Sequence, residues 1–228
     1  MGEIIQGAFS DAIPLMKRRS ALILFMTALC AAAGAALAAA ASSLDGAPRD
    51  TTWFKLALAS PDLLGFLSLF FFYPTVARTA RPEFRMTVGR FFATLGLILA
   101  YSLVCLAGFV AFVIPGFWIG VKWSLLPWTY LVGEGKNPFS ESWDLTTGQF
   151  WETFGFNLLL VLALIVPAVV ATLCGNVAGM VPVLGFILLP IALLINVFVN
   201  NVTLLAQLRW MLRLRDRIRE FTIVQTAG

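Results

Sequence analysis

The sequence contains no histidine. That removes imidazole acid–base chemistry, His-ligated metal sites and His-liganded haem. Cysteine is scarce. Cys30, Cys105 and Cys174 lie in apolar runs, their number is odd, and none has a metal-type CxxC spacing. They read as small buried hydrophobes. Charge is scarce too, at 12% of residues, roughly half of what a soluble domain carries. Acidic residues are essentially missing from the long apolar runs, which argues against a proton-coupled carrier. There is no P-loop, GxSxG, HExxH or pair of catalytic carboxylates, so the reading is a non-enzymatic chain without cofactor or metal.

What is present is hydrophobicity: 60% of the 228 residues are hydrophobic and the mean hydropathy is +0.88. A helix crossing a bilayer needs about 20 apolar residues. The sequence offers six such runs: Ala21–Ala41, Leu56–Ala77, Phe91–Ile114, Phe117–Val132, Trp151–Leu173 and Val181–Leu208. The expected fold is therefore all-α, a polytopic transmembrane bundle of about six helices in a single membrane domain, 1–228. The first run follows Lys17-Arg18-Arg19 and has the look of a signal peptide. At about 21 residues it is too long for a usual signal core and long enough to span. Its AAAGAALAAAA stretch would let a neighbouring backbone approach closely. Ser60-Pro61-Asp62 interrupts the second run, and Pro115-Gly116 predicts a tight turn between the third and fourth. Gly175-Asn176 and Gly179 predict another turn, while Pro167 and Pro190 predict kinks. A separate basic helix, 209–221, follows the sixth run and suits an anionic leaflet or a docked partner.

Lysine and arginine set the orientation. Lys17, Arg18, Arg19, Arg78, Arg81, Arg85, Arg90, Lys136, Arg209, Arg213, Arg215, Arg217 and Arg219 would share one side, thirteen against Arg49 and Lys55 on the other. A positive-inside bias of this size predicts an even number of spans with both termini cytoplasmic. The expected location is the bacterial inner membrane, with membrane lipids, and other membrane subunits, as partners. The basic residues sit at helix ends, so they do not read as a nucleic-acid surface.

Two segments align at an offset of 59 residues: FRMTVGRFFATLGL from Phe84 and WDLTTGQFWETFGF from Trp143. Identities fall at Thr87/Thr146, Gly89/Gly148, Phe91/Phe150, Thr94/Thr153 and Gly96/Gly155. Phe9-Ser10-Asp11 echoes Phe139-Ser140-Glu141 more weakly. The expected plan is three parallel units of interfacial helix plus hairpin, at about 1–78, 79–136 and 137–208. Such symmetry is common in transporters, and duplication gives it to any bundle.

Two features bear on chemistry. In the linker before the fifth run, Phe139, Trp143, Thr146 or Thr147, and Phe150 fall on one helical face, with Ser140, Glu141 and Asp144 on the other. Glu141, Trp143, Asp144 and Trp151 are the candidate interfacial docking residues. The segment reads either as a docking or lipid-headgroup surface or as an anchor that angles the fifth helix. Lys122 is the one basic residue inside an expected span, about 13 Å from its cytoplasmic end. A lysine at that depth faces protein, water or a partner, or snorkels among Trp118, Trp123 and Trp128. Asn196, Asn200, Thr203 and Gln207 form a stripe on the sixth run, and Asn157 lies on the fifth. Lys122, Asn157, Asn196 and Asn200 are the candidate buried polar cluster, either interhelical hydrogen bonding or a substrate or headgroup site.

The stretch from Ile114 to Gly155 carries Pro115-Gly116, Lys122, Pro127, Glu134-Gly135, Glu141-Ser142, Leu145-Thr146, Gly148 and Phe150-Trp151. In these positions the chain resembles a broad bacterial membrane family. That family includes the membrane domain found beside glycerophosphoryl diester phosphodiesterases and related stand-alone six-helix proteins. The resemblance covers under half of the chain. It implies a polytopic inner-membrane protein and carries over no phosphodiesterase activity, because these residues include no such catalytic domain. The expected function is a membrane subunit or scaffold packing against a larger complex. The alternative is a lipid-handling or small-molecule transport protein.

Overall fold

The computed structural model describes residues 1–43, 59–111, 113–133 and 137–227. All regular structure among them is helical. The helices are α1 Gly2–Arg18, α2 Ser20–Ser43, α3 Ser60–Ala80, α4 Val88–Ala111, α5 Val113–Lys122, α6 Leu126–Val132, α7 Pro138–Thr146, α8 Phe150–Met180 and α9 Gly185–Ala227, with a 3-10 turn at Pro182–Leu184 before α9. Three segments are long and apolar enough to cross a membrane: Val88–Gly108, Phe150–Ala178 and Gly185–Glu220. The chain thus has the make-up of a transmembrane protein. Arg49, Lys55, the start of the second expected span, Glu134-Gly135 and Lys136 lie outside the described residues.

The chain divides into two compact units. One comprises Met1–Ala8, Tyr73–Leu160 and Leu204–Gly228; the other comprises Phe9–Phe72 and Val161–Thr203. In the first, α4 and α5 form a hairpin along a glycine seam. A Cβ on Gly108 would come within 2.6 Å of the Gly116 Cα, so only hydrogen fits there. Tyr101 donates its hydroxyl to the Gly120 carbonyl at 2.8 Å one turn further along. Gly108 and Gly116 together let the two backbones approach. In the second unit Ile23, Met26, Cys30, Phe72, Leu189, Ala192, Leu193 and Val197 are buried. Phe9 meets Phe198 edge-on at 5.0 Å, and the Cys30 thiol lies 3.7 Å from the Ser60 hydroxyl.

Several boundaries differ from the sequence reading, each for a local reason. The fourth run is not one helix. Pro127 cannot donate to Trp123 and its ring would clash with that carbonyl, so α5 stops at Lys122 and α6 starts with the proline in its first turn. Pro115-Gly116 lies inside the first turn of α5, where a missing N–H costs nothing. Gly175-Asn176 makes no turn. α8 runs on to Met180, since a mid-helix glycine costs only about 1 kcal/mol, and Pro182 is what ends it. The basic segment is no separate helix: α9 runs unbroken through it for 43 residues, about 65 Å. The aligned repeat segments also take different local forms. A helix precedes α2 and another precedes α8, but residues 81–87, ahead of α4, are turn and coil. Gly148 has φ +81° at the end of α7, whereas its counterpart Gly89 is helical.

Candidate functional site: a polar clamp around Lys122 and Glu141

The clamp is built on α7, and its sequence fixes both ends of that helix. Asn137 accepts a hydrogen bond from the Phe139 N–H at 3.1 Å, and Pro138 opens the first turn. Both are strong start signals. At the other end the Thr147 N–H bonds back to the Trp143 and Asp144 carbonyls. Gly148 then turns the chain with positive φ, which glycine adopts without strain.

The helix buries Glu141, Ser142, Leu145 and Thr146. This corrects the expected faces: Glu141 points inward at 7% exposure, while Trp143 is 39% exposed. Hydrogen bonding, not hydrophobicity, decided the orientation. Turn 123–125 leaves the Lys122 carbonyl open at the end of α5, and the Ser142 hydroxyl donates to it at 2.8 Å. Thr146 donates to the same oxygen at 3.4 Å. The Thr129 hydroxyl contacts the Pro138 carbonyl at 3.0 Å, tying α6 to the start of α7.

Lys122 is 4% exposed. Its Nζ donates to Thr147 Oγ1 at 2.9 Å and lies 5.0 Å from the Trp143 ring centre and 5.6 Å from that of Trp118. Asp144 supplies the nearby negative charge. An ammonium between two indoles is stabilised by about 0.5–2 kcal/mol per ring, more as water is excluded. Trp118 in turn stacks on Phe150 at 4.2 Å, so the first turn of α8 is part of the same wall.

Glu141 makes the second half of the clamp. Its Oε1 accepts from Arg215 Nη2 at 2.5 Å, and Arg215 Nη1 reaches the Val132 carbonyl at 3.4 Å. The pair joins α7, the end of α6 and the basic part of α9. Glu141 Oε2 is buried without a hydrogen-bond partner among the described residues. It packs against Gly133, where a Cβ would fall 2.6 Å from it and would clash with the Thr129 carbonyl oxygen. A glycine is therefore required there for close approach. Further along α9, Arg217 bonds Gln149 at 2.7 Å and Glu152 at 3.0 Å. Trp210 stacks on Phe156 at 4.9 Å and its Nε1 lies 3.4 Å from Thr153 Oγ1.

The candidate residues fall into separate settings. Asn157 donates to Ser124 Oγ at 3.0 Å, and Ser124 donates to the Val121 carbonyl, so Asn157 holds the same turn that Lys122 opens. Asn196 and Asn200 belong to the other compact unit, where Asn200 donates to Asn196 at 2.8 Å. Among the docking candidates Asp144 and Trp151 are exposed, Trp151 at 75%. Of the other clamp residues, Arg215, Thr147 and Ser142 stood out in the sequence without this role, and Gly133 did not stand out at all. Arg215 was legible only as one of a run of arginines, since its partner lies 74 positions away. Compared with known protein families, curated proteins and solved structures, the chain finds no match in any of the three.

Proposed function

We propose that the chain is a non-enzymatic integral protein of a bacterial inner membrane, a subunit or scaffold that packs against a membrane complex. The observation that carries the reading is the use made of Lys122. The charged group expected at depth is committed to Thr147, Trp118 and Trp143, and thus to holding α5 against α7. A transport or catalytic lysine needs a free approach for its ligand; a structural one needs neighbours. The outer surface points the same way. The most apolar window of the Val88–Gly108 span is 6% buried, with Leu99, Leu103 and Leu106 all more than half exposed. The thirteen-to-two distribution of basic residues supports six spans with both termini cytoplasmic. The plan of three hairpin units, and the resemblance to the phosphodiesterase-associated membrane family, belong to the same reading.

The test is site-specific photo-crosslinking in native membranes. A photoreactive residue at Leu103, which is 66% exposed, should give one discrete protein adduct. The same residue at Leu160, which is 6% exposed, should give none. A Leu103 probe that crosslinks only lipid, together with a clean monomer in mild detergent, would overturn the subunit reading. The competing transport reading rests on Lys122 as a substrate contact. It requires Lys122→Met, which keeps the aliphatic stem, to abolish flux while the protein stays folded.

A further inference from the structure

The end of α3, the loop after it and the first turn of α4 carry Arg78, Arg81, Arg85 and Arg90 against a single acid, Glu83. Two of these arginines shape the loop. Arg78 Nε donates to the Phe84 carbonyl at 3.0 Å, and Arg90 Nη1 reaches the Arg85 carbonyl at 3.4 Å while its guanidinium lies 5.7 Å over the Phe84 ring. Phe84 itself is buried at 6% exposure and so pins the loop to the fold. The result is a recess of about 450 Å³ lined by Ala80, Arg81, Pro82, Glu83, Phe84 and Arg90. None of the four arginines has an acidic partner among the described residues, and the Arg81 side chain has no partner at all among them. A guanidinium has five N–H donors, so most of the donors around this recess are uncommitted.

The depth of the recess narrows its ligand. The apolar span begins at Val88, so Arg90 stands at the level where hydrocarbon gives way to headgroups. Val88 and Phe92, two residues either side of Arg90, are 74% and 62% exposed and give an acyl chain an apolar path. A guanidinium pair at that level meets phosphate, and the planar fork suits a phosphate oxygen pair better than a lysine would. The other basic recess, lined by Arg209, Leu212, Arg213, Asp216, Arg217 and Glu220, is a poorer match. Two acids line it, and Arg217 is already bound to Glu152 and Gln149.

We propose that the recess between Arg81 and Arg90 binds the phosphodiester of an anionic phospholipid headgroup. The free ligand sharing this chemistry is inorganic phosphate, and the test separates the two. The full chain, purified in mild detergent, is titrated with short-chain phosphatidylglycerol and, in parallel, with inorganic phosphate, and the bound species are counted by native mass spectrometry. Phosphatidylglycerol should bind at one saturable site. Arg81→Gln should weaken it about tenfold, the loss of one charge-assisted contact. Arg90→Gln should weaken it similarly, and Glu83→Gln should tighten it by removing the one carboxylate. Arg213→Gln, at the other recess, should leave it unchanged. The Arg81 side chain has no hydrogen bond or ion pair to lose among the described residues, so the variant reads binding rather than folding. Equal binding by Arg81→Gln and the native chain would overturn the proposal. So would equal weakening by Arg213→Gln, and so would inorganic phosphate binding as tightly as the lipid.

Discussion

Two arginine-rich regions of the same compact unit treat their charges in opposite ways. On α9, Arg215 is held by Glu141 and Arg217 by Glu152 and Gln149. Around the α3–α4 connection, the Arg78 and Arg90 side chains bond backbone carbonyls, and the Arg81 side chain bonds nothing among the described residues. Composition does not separate the two. Both are basic and both adjoin long apolar sequence. What differs is whether a folded neighbour brings an acid within reach. A paired arginine is part of the scaffold. An arginine left with most of its donors free is available to something outside the chain.

The comparison can be broken first at Glu141. Glu141→Ala removes the carboxylate paired with Arg215, whose side chain is 13% exposed. We expect a loss of about 3–5 kcal/mol, the usual consequence of removing one partner of a buried pair, read as a fall in thermal midpoint in detergent. Glu141→Gln keeps an acceptor and should lose less. If both variants melt like the native chain, the clamp does not hold α7.

Lys122→Ala removes the bond to Thr147 and two ring contacts, so a loss of about 2 kcal/mol is expected. Quenching of tryptophan emission should change with it, because Trp118 and Trp143 lose their cation. Unaltered emission with unaltered stability would mean that the lysine is not seated between them. Gly133→Ala should cost about 1–3 kcal/mol through overpacking against Thr129 and Glu141. Paired with Glu141→Ala, which vacates part of that space, its effect should shrink; strict additivity would show that the two do not meet.

The smallest effects are expected where charge is most exposed. Arg217→Gln breaks a pair whose side chains are 32% and 50% exposed, so its effect should stay under about 1 kcal/mol and fade in high salt. Arg81→Gln should leave stability unchanged within about 0.5 kcal/mol. A measurable destabilisation by Arg81→Gln would place the loop arginines with the scaffold after all and erase the contrast.

How much of this was legible in the sequence varies residue by residue. The runs that became α4, α8 and α9 were plain, because a run of apolar residues in an apolar medium has no other way to satisfy its backbone. Lys122 stood out by its isolation, yet its partners did not, because Thr147 lies 25 positions away and beyond a turn. The face of α7 was misjudged at Glu141 because hydropathy ranks a carboxylate as outward, while an arginine on a distant helix made the inward position tolerable. Pro127 was visible and its effect was not drawn from it: a proline in an apolar run stops one helix and starts another. The Gly108–Gly116 contact needed the hairpin to be closed before the two glycines could face each other.

By itself, the sequence determined that the described chain is helical and that it holds runs long and apolar enough to cross a membrane; it offered six such runs, and three helices of that length and apolarity stand among the described residues. These follow from local rules of backbone hydrogen bonding and apolar length, which need no knowledge of neighbours. Only the tertiary structure decided which cations are spent and which remain. Arg215 and Glu141 are 74 positions apart, and their pairing depends on the faces that α7 and α9 turn to each other. Charge is local in the sequence, but compensation of charge is a property of packing.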